Sequence, residues 1–179
     1  MPAAAHKSLI TSIGSVTQLA FVPSDFDATL KFWLETMGVG PFHILKARIE
    51  TAKYRGQATV PEVTTALGYW DDMQIEIIRQ DNAAPSLYRE WREAGGEGLH
   101  HVCVETDDFA GAKAIAVAAG AELIFDADFF GTEWCYFDTG GGPGTIVEII
   151  RQSPEVAGLM KKIRDSQRGW DGTDPIRYV

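Results

Sequence analysis

A chain of 179 residues with 45 % apolar content is long enough to bury one compact core. Its net charge of −9 and pI near 4.8 argue against nucleic acid or anionic membrane as a partner, because phosphate groups are held by clustered Lys and Arg. No apolar run approaches the ~20 residues that span a bilayer, and the opening "MPAAAHKSLITSIGS" lacks the apolar stretch of a secretory leader. Cys103 and Cys135 form neither a disulfide framework nor a CxxC metal site and read as buried free thiols of a cytoplasmic protein.

The first element is the strand-like "VTQLAFV", followed by a Pro-Ser-Asp stop and a helical stretch. Leu30, Trp33, Leu34 and Met37 recur at the spacing of an amphipathic helix, with Asp25 as N-cap and Gly38 as stop. Two further strand-like runs end in "MQIEIIRQ", and the connection between the second and third strands, around "ARIETAKYRGQATVPEV", is long. "DNAAPSLYREWREAGGEG" then predicts a short linking helix with a Gly stop.

After the linker the same order returns. "LHHVCVETDD" is a strand, Asp108 caps an Ala-rich helix that Gly120 closes, and further strands end in "TIVEIIRQ". "GYWDD" is echoed by "CYFDT", and aligning the two Asp-Phe pairs places Gln18 on His101. The chain is therefore an internal duplication of a βαβββ unit, module one over about residues 15–81 and module two over about 98–152, together one domain spanning 15–152. One unit buries too little to stand alone. The pair predicts an α+β fold in which tandem βαβββ modules form a curved eight-stranded mixed sheet around a cavity, with helices outside.

Glu76, Ile78 and Gln80 share one strand face, as do Glu148, Ile150 and Gln152. A carboxylate flanked by Ile in a covered strand needs a cation or a wet cavity. Two such carboxylates at repeat-equivalent positions point to one shared ion. His101 is preferred to His100 as a ligand because it shares the register of Gln18, which leaves His100 aimed at the opposite face. His43 is open, and His6 lies in the N-terminal tail.

Carried by Gln18 in "TQLAFVPSD", Glu76 in "QIEIIRQ", His101 in "HHVCVETDD" and Glu148 in "IVEIIRQ", the sequence resembles the vicinal-oxygen-chelate superfamily. That superfamily includes glyoxalase I, methylmalonyl-CoA epimerase, extradiol dioxygenases and antibiotic-resistance proteins. The resemblance implies that Gln18, Glu76, His101 and Glu148 ligate one divalent ion (Zn, Mn, Co, Ni or Mg), a choice that fits an imidazole–oxygen set without thiolate. It also implies a metal-dependent isomerase, epimerase or lyase that abstracts a proton next to the carbonyl of a small acyl or keto substrate, through an enediolate stabilised by the ion. Glu148 and Glu76 are the candidate bases, with Glu50 a weaker one.

The ligand order resembles that of animal-type glyoxalase I, whereas "FWLETMGVGPF" looks closer to the epimerase branch. A single histidine argues against an extradiol oxygenase, which is expected to show two. The alternative is a non-catalytic, resistance-type protein that sequesters a small molecule on the same fold. An aromatic-rich pocket is expected from Trp70, Trp134, Tyr69, Tyr136, Phe129 and Phe130, and Arg48, Lys53 and Arg55 are candidates to meet an anionic substrate. A homodimer is expected from the same resemblance.

Residues 153–179 form the C-terminal helix and tail. "SPEVAGLMKKIRDSQ" has Ser153 as N-cap, Pro154 at the first helical position and an apolar stripe that should pack on a sheet or a second subunit. "RGWDGTDPIRYV" reads as turns, with Trp170 a candidate anchor.

Overall fold

The structure, a computed structural model, describes residues 10–179; the expectations for the leader region and for His6 lie outside them. After a short 3-10 turn at Ile10–Ser12, the first half comprises β1 (Val16–Phe21), α1 (Phe26–Lys31), β2 (Phe42–Arg48), β3 (Lys53–Tyr54), β4 (Gln57–Ala58), β5 (Glu62–Trp70) and β6 (Met73–Gln80). Helix α2 (Leu87–Glu93) links it to β7 (Leu99–Glu105), α3 (Phe109–Ala118), β8 (Glu122–Phe129), β9 (Thr132–Asp138) and β10 (Ile146–Arg151). Helix α4 (Pro154–Gln167) and β11 (Ile176–Tyr178) end the chain. No helix among the described residues is long and apolar enough to cross a membrane.

The helix boundaries follow from their caps. Asp25 accepts from the Ala28 N–H, Asp108 from Gly111 and Ser86 from Arg89, each filling an orphan donor of a first turn. The stretch after α1 is wound as a π-helical turn, Phe32–Thr36, and of the four apolar positions Leu30 and Trp33 are buried whereas Met37 is exposed. Both α1 and α3 pack on the outer face of the sheet. Trp33 and Leu30 meet Ile75 and Ile77, while Ala112 and Ala116 meet Val147 and Ile149. Each fully buried aliphatic side chain in these layers contributes about 1.5–3 kcal/mol of transfer free energy.

All strands join one mixed sheet in the order β11-β2-β5-β6-β1-β7-β10-β9-β8-β3-β4. Among the described residues the sheet has eleven strands rather than the eight expected, three of them short. Two of the three come from the long connection, which folds as the β3–β4 hairpin because Arg55 and Gly56 both adopt positive φ in a two-residue turn. The third is β11, where the tail expected to be all turns pairs with β2 through Ile176↔Phe42 and Tyr178↔Ile44. Trp170 does anchor that tail: its ring lies so close to Gly40 that a Cβ there would sit 2.6 Å away.

The hairpin also explains the curvature. Strand β2 lies near one end of the sheet and β3 near the other, paired to β8 through Lys53↔Asp126 and Tyr54↔Phe125. Only residues 49–52 join β2 to β3, a reach of under about 20 Å. The sheet must therefore curl until its ends approach each other, enclosing a cavity.

Register makes the duplication a symmetry of the centre. Antiparallel β1 and β7 pair Gln18 with Cys103 and Ala20 with His101. Each is parallel to the last strand of its own half, pairing Ala20 with Glu76 and Cys103 with Glu148. Exchanging Gln18 with His101, Ala20 with Cys103 and Glu76 with Glu148 maps the pairing pattern onto itself.

Helix α4 departs from the arrangement of α1 and α3. It packs on the sheet, but on the face that carries Glu76: Ile163 sits against Leu67 and Tyr69, and Leu67 is the cross-strand partner of Glu76. The Ser153 N–H at its start donates to Thr132 Oγ1 at 2.9 Å, and Gln167 at its end donates to the Asp71 carbonyl at 2.9 Å, so both ends are tied down.

Candidate metal centre

Three of the four expected ligands converge. One ligand atom from each of Glu76, His101 and Glu148 falls within 4.8 Å of the others, and His101 Nε2 lies 3.2 Å from Glu148 Oε2 and 3.8 Å from Glu76 Oε2. His101 is fully buried and Glu148 nearly so. The fourth, Gln18, lines the same small recess as Glu76 and Glu148, about 110 Å³ in volume. Its amide is oriented by a residue the sequence reading missed. Gln18 Nε2 donates to Gln74 Oε1 at 2.6 Å, and Gln74 Nε2 donates to the Tyr69 hydroxyl at 2.8 Å. That chain leaves Gln18 Oε1 buried with no partner, and His101 Nε2 also lacks a conventional hydrogen bond.

Two unpartnered buried acceptors beside two carboxylates make a costly arrangement unless a cation satisfies it. The donor set, one imidazole nitrogen with carboxylate and amide oxygens, suits a divalent ion of intermediate softness. The electrostatics agree. Burial first, and the Glu148 charge second, hold the Glu76 carboxyl well above the usual carboxylate range. A dication at the cluster would remove both penalties.

His100 does not point away from His101. Between the pairs Ala20↔His101 and Phe21↔Leu99 the strand carries one extra residue, a bulge that re-aims His100. Its Nδ1 lies 2.9 Å from His101 Nδ1, and its ring packs against Tyr88 and Trp91 of α2. Burial and the adjacent His101 hold the His100 pKa well below that of a free imidazole, so this ring is neutral. With His100 neutral, a hydrogen bond donated by His101 Nδ1 to His100 Nδ1 would leave His101 Nε2 free as a ligand, a role in which a carboxylate, a backbone carbonyl or water is the commoner acceptor. A doubled histidine at a strand start was the one sequence sign of this pair.

The recess opens into a cavity of about 700 Å³ that shares Glu76 and Glu148 as part of its wall. Tyr88 and Tyr136 lie in that wall, their hydroxyls 2.8 Å apart, and the Tyr136 ring stands edge-on to His101. Of the expected aromatics, Trp134, Tyr136, Phe129 and Phe130 face this space. Tyr69 is buried beside Gln74, and Trp70 is largely exposed against Trp33. The expected loop cations do not line it: Arg48 pairs with Glu50 and Glu62, Arg55 with Glu90 and Glu122, and Lys53 lies at a separate surface groove. Glu50 is exposed and outside the site. His43 is buried on β2, away from the cluster. Cys103 and Cys135 are buried free thiols as expected; burial, then the Glu148 charge, keeps the Cys103 thiol protonated beside the carboxylates.

Solved structures with the same architecture include a methylmalonyl-CoA epimerase from Mycobacterium tuberculosis, 12 % identical with a TM-score of 0.57 over 88 % of this chain and 97 % of that one. A Streptomyces coelicolor methylmalonyl-CoA epimerase variant in complex with 2-nitronate-propionyl-CoA is 17 % identical, with a TM-score of 0.54 over 79 % and 96 %. A hypothetical protein from Bacillus halodurans C-125 aligns at 13 % identity, with a TM-score of 0.55 over 78 % and 94 %. At such identities the likeness establishes the fold alone. No curated protein sequence matches the chain. The sequence profile described as Glyoxalase/Bleomycin resistance protein/Dioxygenase superfamily matches residues 17–137, two thirds of the chain, stopping short of β10, so the place of Glu148 rests on sheet register. The chain belongs to the glyoxalase/bleomycin resistance protein/dioxygenase superfamily.

Proposed function

We propose that the protein is a divalent-metal-dependent isomerase, epimerase or lyase that removes a proton next to the carbonyl of a small acyl or keto substrate. The observation that carries this reading is the convergence of His101, Glu76 and Glu148 beside an unpartnered Gln18 oxygen, with the two symmetry-related glutamates on the wall of a largely apolar cavity. Gln18, Glu76, His101 and Glu148 would hold the ion. When bound, it would supply Lewis-acid stabilisation of the negative charge that builds on a carbonyl oxygen.

The chain's own groups do the rest. Either Glu148 or Glu76 takes the α-proton and returns it, to the same carbon from the other face or to the neighbouring one. The Tyr88–Tyr136 hydroxyl pair places hydrogen-bond donors in the cavity wall, and Val156, Leu159 and Met160 of the tethered α4 add apolar cover to it.

Metal analysis of the purified protein and solvent deuterium incorporation into candidate 2-keto and acyl thioester compounds test this reading. Near-stoichiometric divalent metal with exchange at the α-carbon is expected. Glu148→Gln should lower exchange by at least a hundredfold while leaving the circular dichroism spectrum intact, and unchanged turnover would remove Glu148 from the chemistry. The large apolar cavity also accommodates a second reading, sequestration of a small molecule without turnover. Ligand binding in a protein that carries no metal would favour it.

A further inference from the structure

Resting on that reading of the site, we propose that the substrate is an uncharged carbonyl compound with an extended apolar tail, held between α4 and the β8–β9 turn. A phosphate- or carboxylate-bearing tail does not fit. Two independent observations carry this.

The first is charge. The cavity wall contains three carboxylates, Glu76, Glu148 and Glu155, and among the described residues neither Lys nor Arg. A bound dication would be neutralised by Glu76 and Glu148, leaving Glu155 as the net charge of the wall. An anionic tail would enter without a counter-ion, against a like charge and at the cost of its own desolvation. The nearby cations Arg48 and Arg55 are already held in surface ion pairs and do not line the space. Beyond the carboxylates, the wall is built of side chains such as Leu45, Val63, Trp134, Ile150, Leu159 and Met160.

The second is the turn at the cavity rim. The two halves carry equivalent two-residue hairpin turns: Asp71–Asp72 between the pair Trp70↔Met73, and Phe130–Gly131 between Phe129↔Thr132. The first loop residue is left-handed in both, φ 58° at Asp71 and φ 47° at Phe130. Asn, Asp or Gly normally fills such a position. The first half conforms, and the second spends the position on a bulky aromatic that is 78 % exposed. A phenylalanine disfavoured both by backbone and by solvent is explained by a ligand that covers it. Phe130 stacks edge-on to Phe129 at 4.5 Å between ring centres, and both line the cavity. They form an apolar lip where a tail leaves the site.

Isothermal titration calorimetry of the full-length, metal-replete protein tests this with two probes: a nine-carbon methyl ketone, and the same chain with its far methyl oxidised to a carboxylate. The neutral ketone is expected to bind at least tenfold more tightly. Phe130→Asn should weaken the nine-carbon ketone by fivefold or more without altering butanone, which is too short to reach the lip. Equal or tighter binding of the carboxylate, no binding of either, or an unchanged affinity in the Asn variant would overturn the proposal. Deuterium exchange at the ketone α-carbon separates it from the proposed function. Selective binding without exchange keeps the substrate class and removes the chemistry, whereas exchange with the carboxylate preferred does the reverse.

Discussion

Stripped of divalent ions, the protein should melt at a lower temperature and recover when one ion per chain is returned. The site supplies the reason: two carboxylates and an imidazole nitrogen crowd within 4.8 Å, with Gln18 Oε1 unsatisfied beside them. An ion that binds only the folded chain adds about 2.7 kcal/mol at a hundredfold excess over its Kd. For a chain of 179 residues, 1 kcal/mol moves Tm by roughly 2–4 °C, so the expected rise is about 5–11 °C. Differential scanning fluorimetry of chelator-treated protein, titrated with Zn, Mn, Co, Ni and Mg in turn, measures it and ranks the ions.

Glu76→Gln supplies the control of opposite sign. In the stripped protein the raised Glu76 pKa means that the folded chain retains a proton the unfolded chain has released. The stability contributed by that proton is complete below the usual carboxylate range and is lost as pH rises through the folded-state value. Stripped wild type should therefore weaken from acid toward neutral pH. The Gln variant should flatten that slope, melt at or above wild type when stripped, and gain little from the ion. An equal rise in wild type, Glu76→Gln and Glu148→Gln on adding the ion would refute the assignment of these carboxylates as ligands.

The β8–β9 turn makes a reciprocal prediction about stability. A left-handed phenylalanine costs about 1–2 kcal/mol, so Phe130→Asn should raise Tm by roughly 2–8 °C, and Asp71→Phe should lower it by a similar amount in calorimetry. A fall in Tm for Phe130→Asn would show that the ring is already stabilised without ligand. Ile163, 2 % exposed, is the buried anchor of α4, and Ile163→Ala should cost about 2–4 kcal/mol. Thermal melting would register that loss, together with weaker binding of the apolar ketone, because Val156, Leu159 and Met160 of the same helix line the cavity.

Much of this was legible in the sequence because it is written in local chemistry. Asp25, Asp108, Ser86 and Ser153 announce helix starts through a short side chain that caps the first turn, a property needing no tertiary information. Glu76 and Glu148 stand out because an acid among β-branched residues violates strand patterning, and the violation occurs twice. What escaped depends on partners distant in the chain. The bulge at His100 exists only against the register of β1, and Gln74 matters only because its amide meets Gln18, 56 positions away. The β3–β4 hairpin has a readable Arg-Gly turn, but its pairing to β8 is set by closure of the sheet. The tail sequence "PIRY" is too short to declare itself a strand until β2 offers an unpaired edge.

The repeated EIIRQ shows how one ancestral strand came to serve an asymmetric site. Its first isoleucine, Ile77 or Ile149, is fully buried under the outer helix layer in both halves, and its glutamate faces the central recess in both. The next isoleucine is where the halves part. Ile78 is covered by Leu87 and Tyr88 of α2, the helix inserted between the modules, while Ile150 is left facing the cavity. The closing glutamine follows suit: Gln80 is tied into the linker through Ser86 and the Ala84 carbonyl, whereas Gln152 reaches only to Glu105. The linker helix thus fills one side of a symmetric hollow and leaves the other open. The candidate ligand cluster stays on the pseudo-twofold axis, and the cavity beside it is lined by both modules, with Trp134 and the Phe129–Phe130 lip contributed by module two alone. The duplicated scaffold thus keeps the paired carboxylates symmetric while the inserted helix makes the space around them unsymmetric.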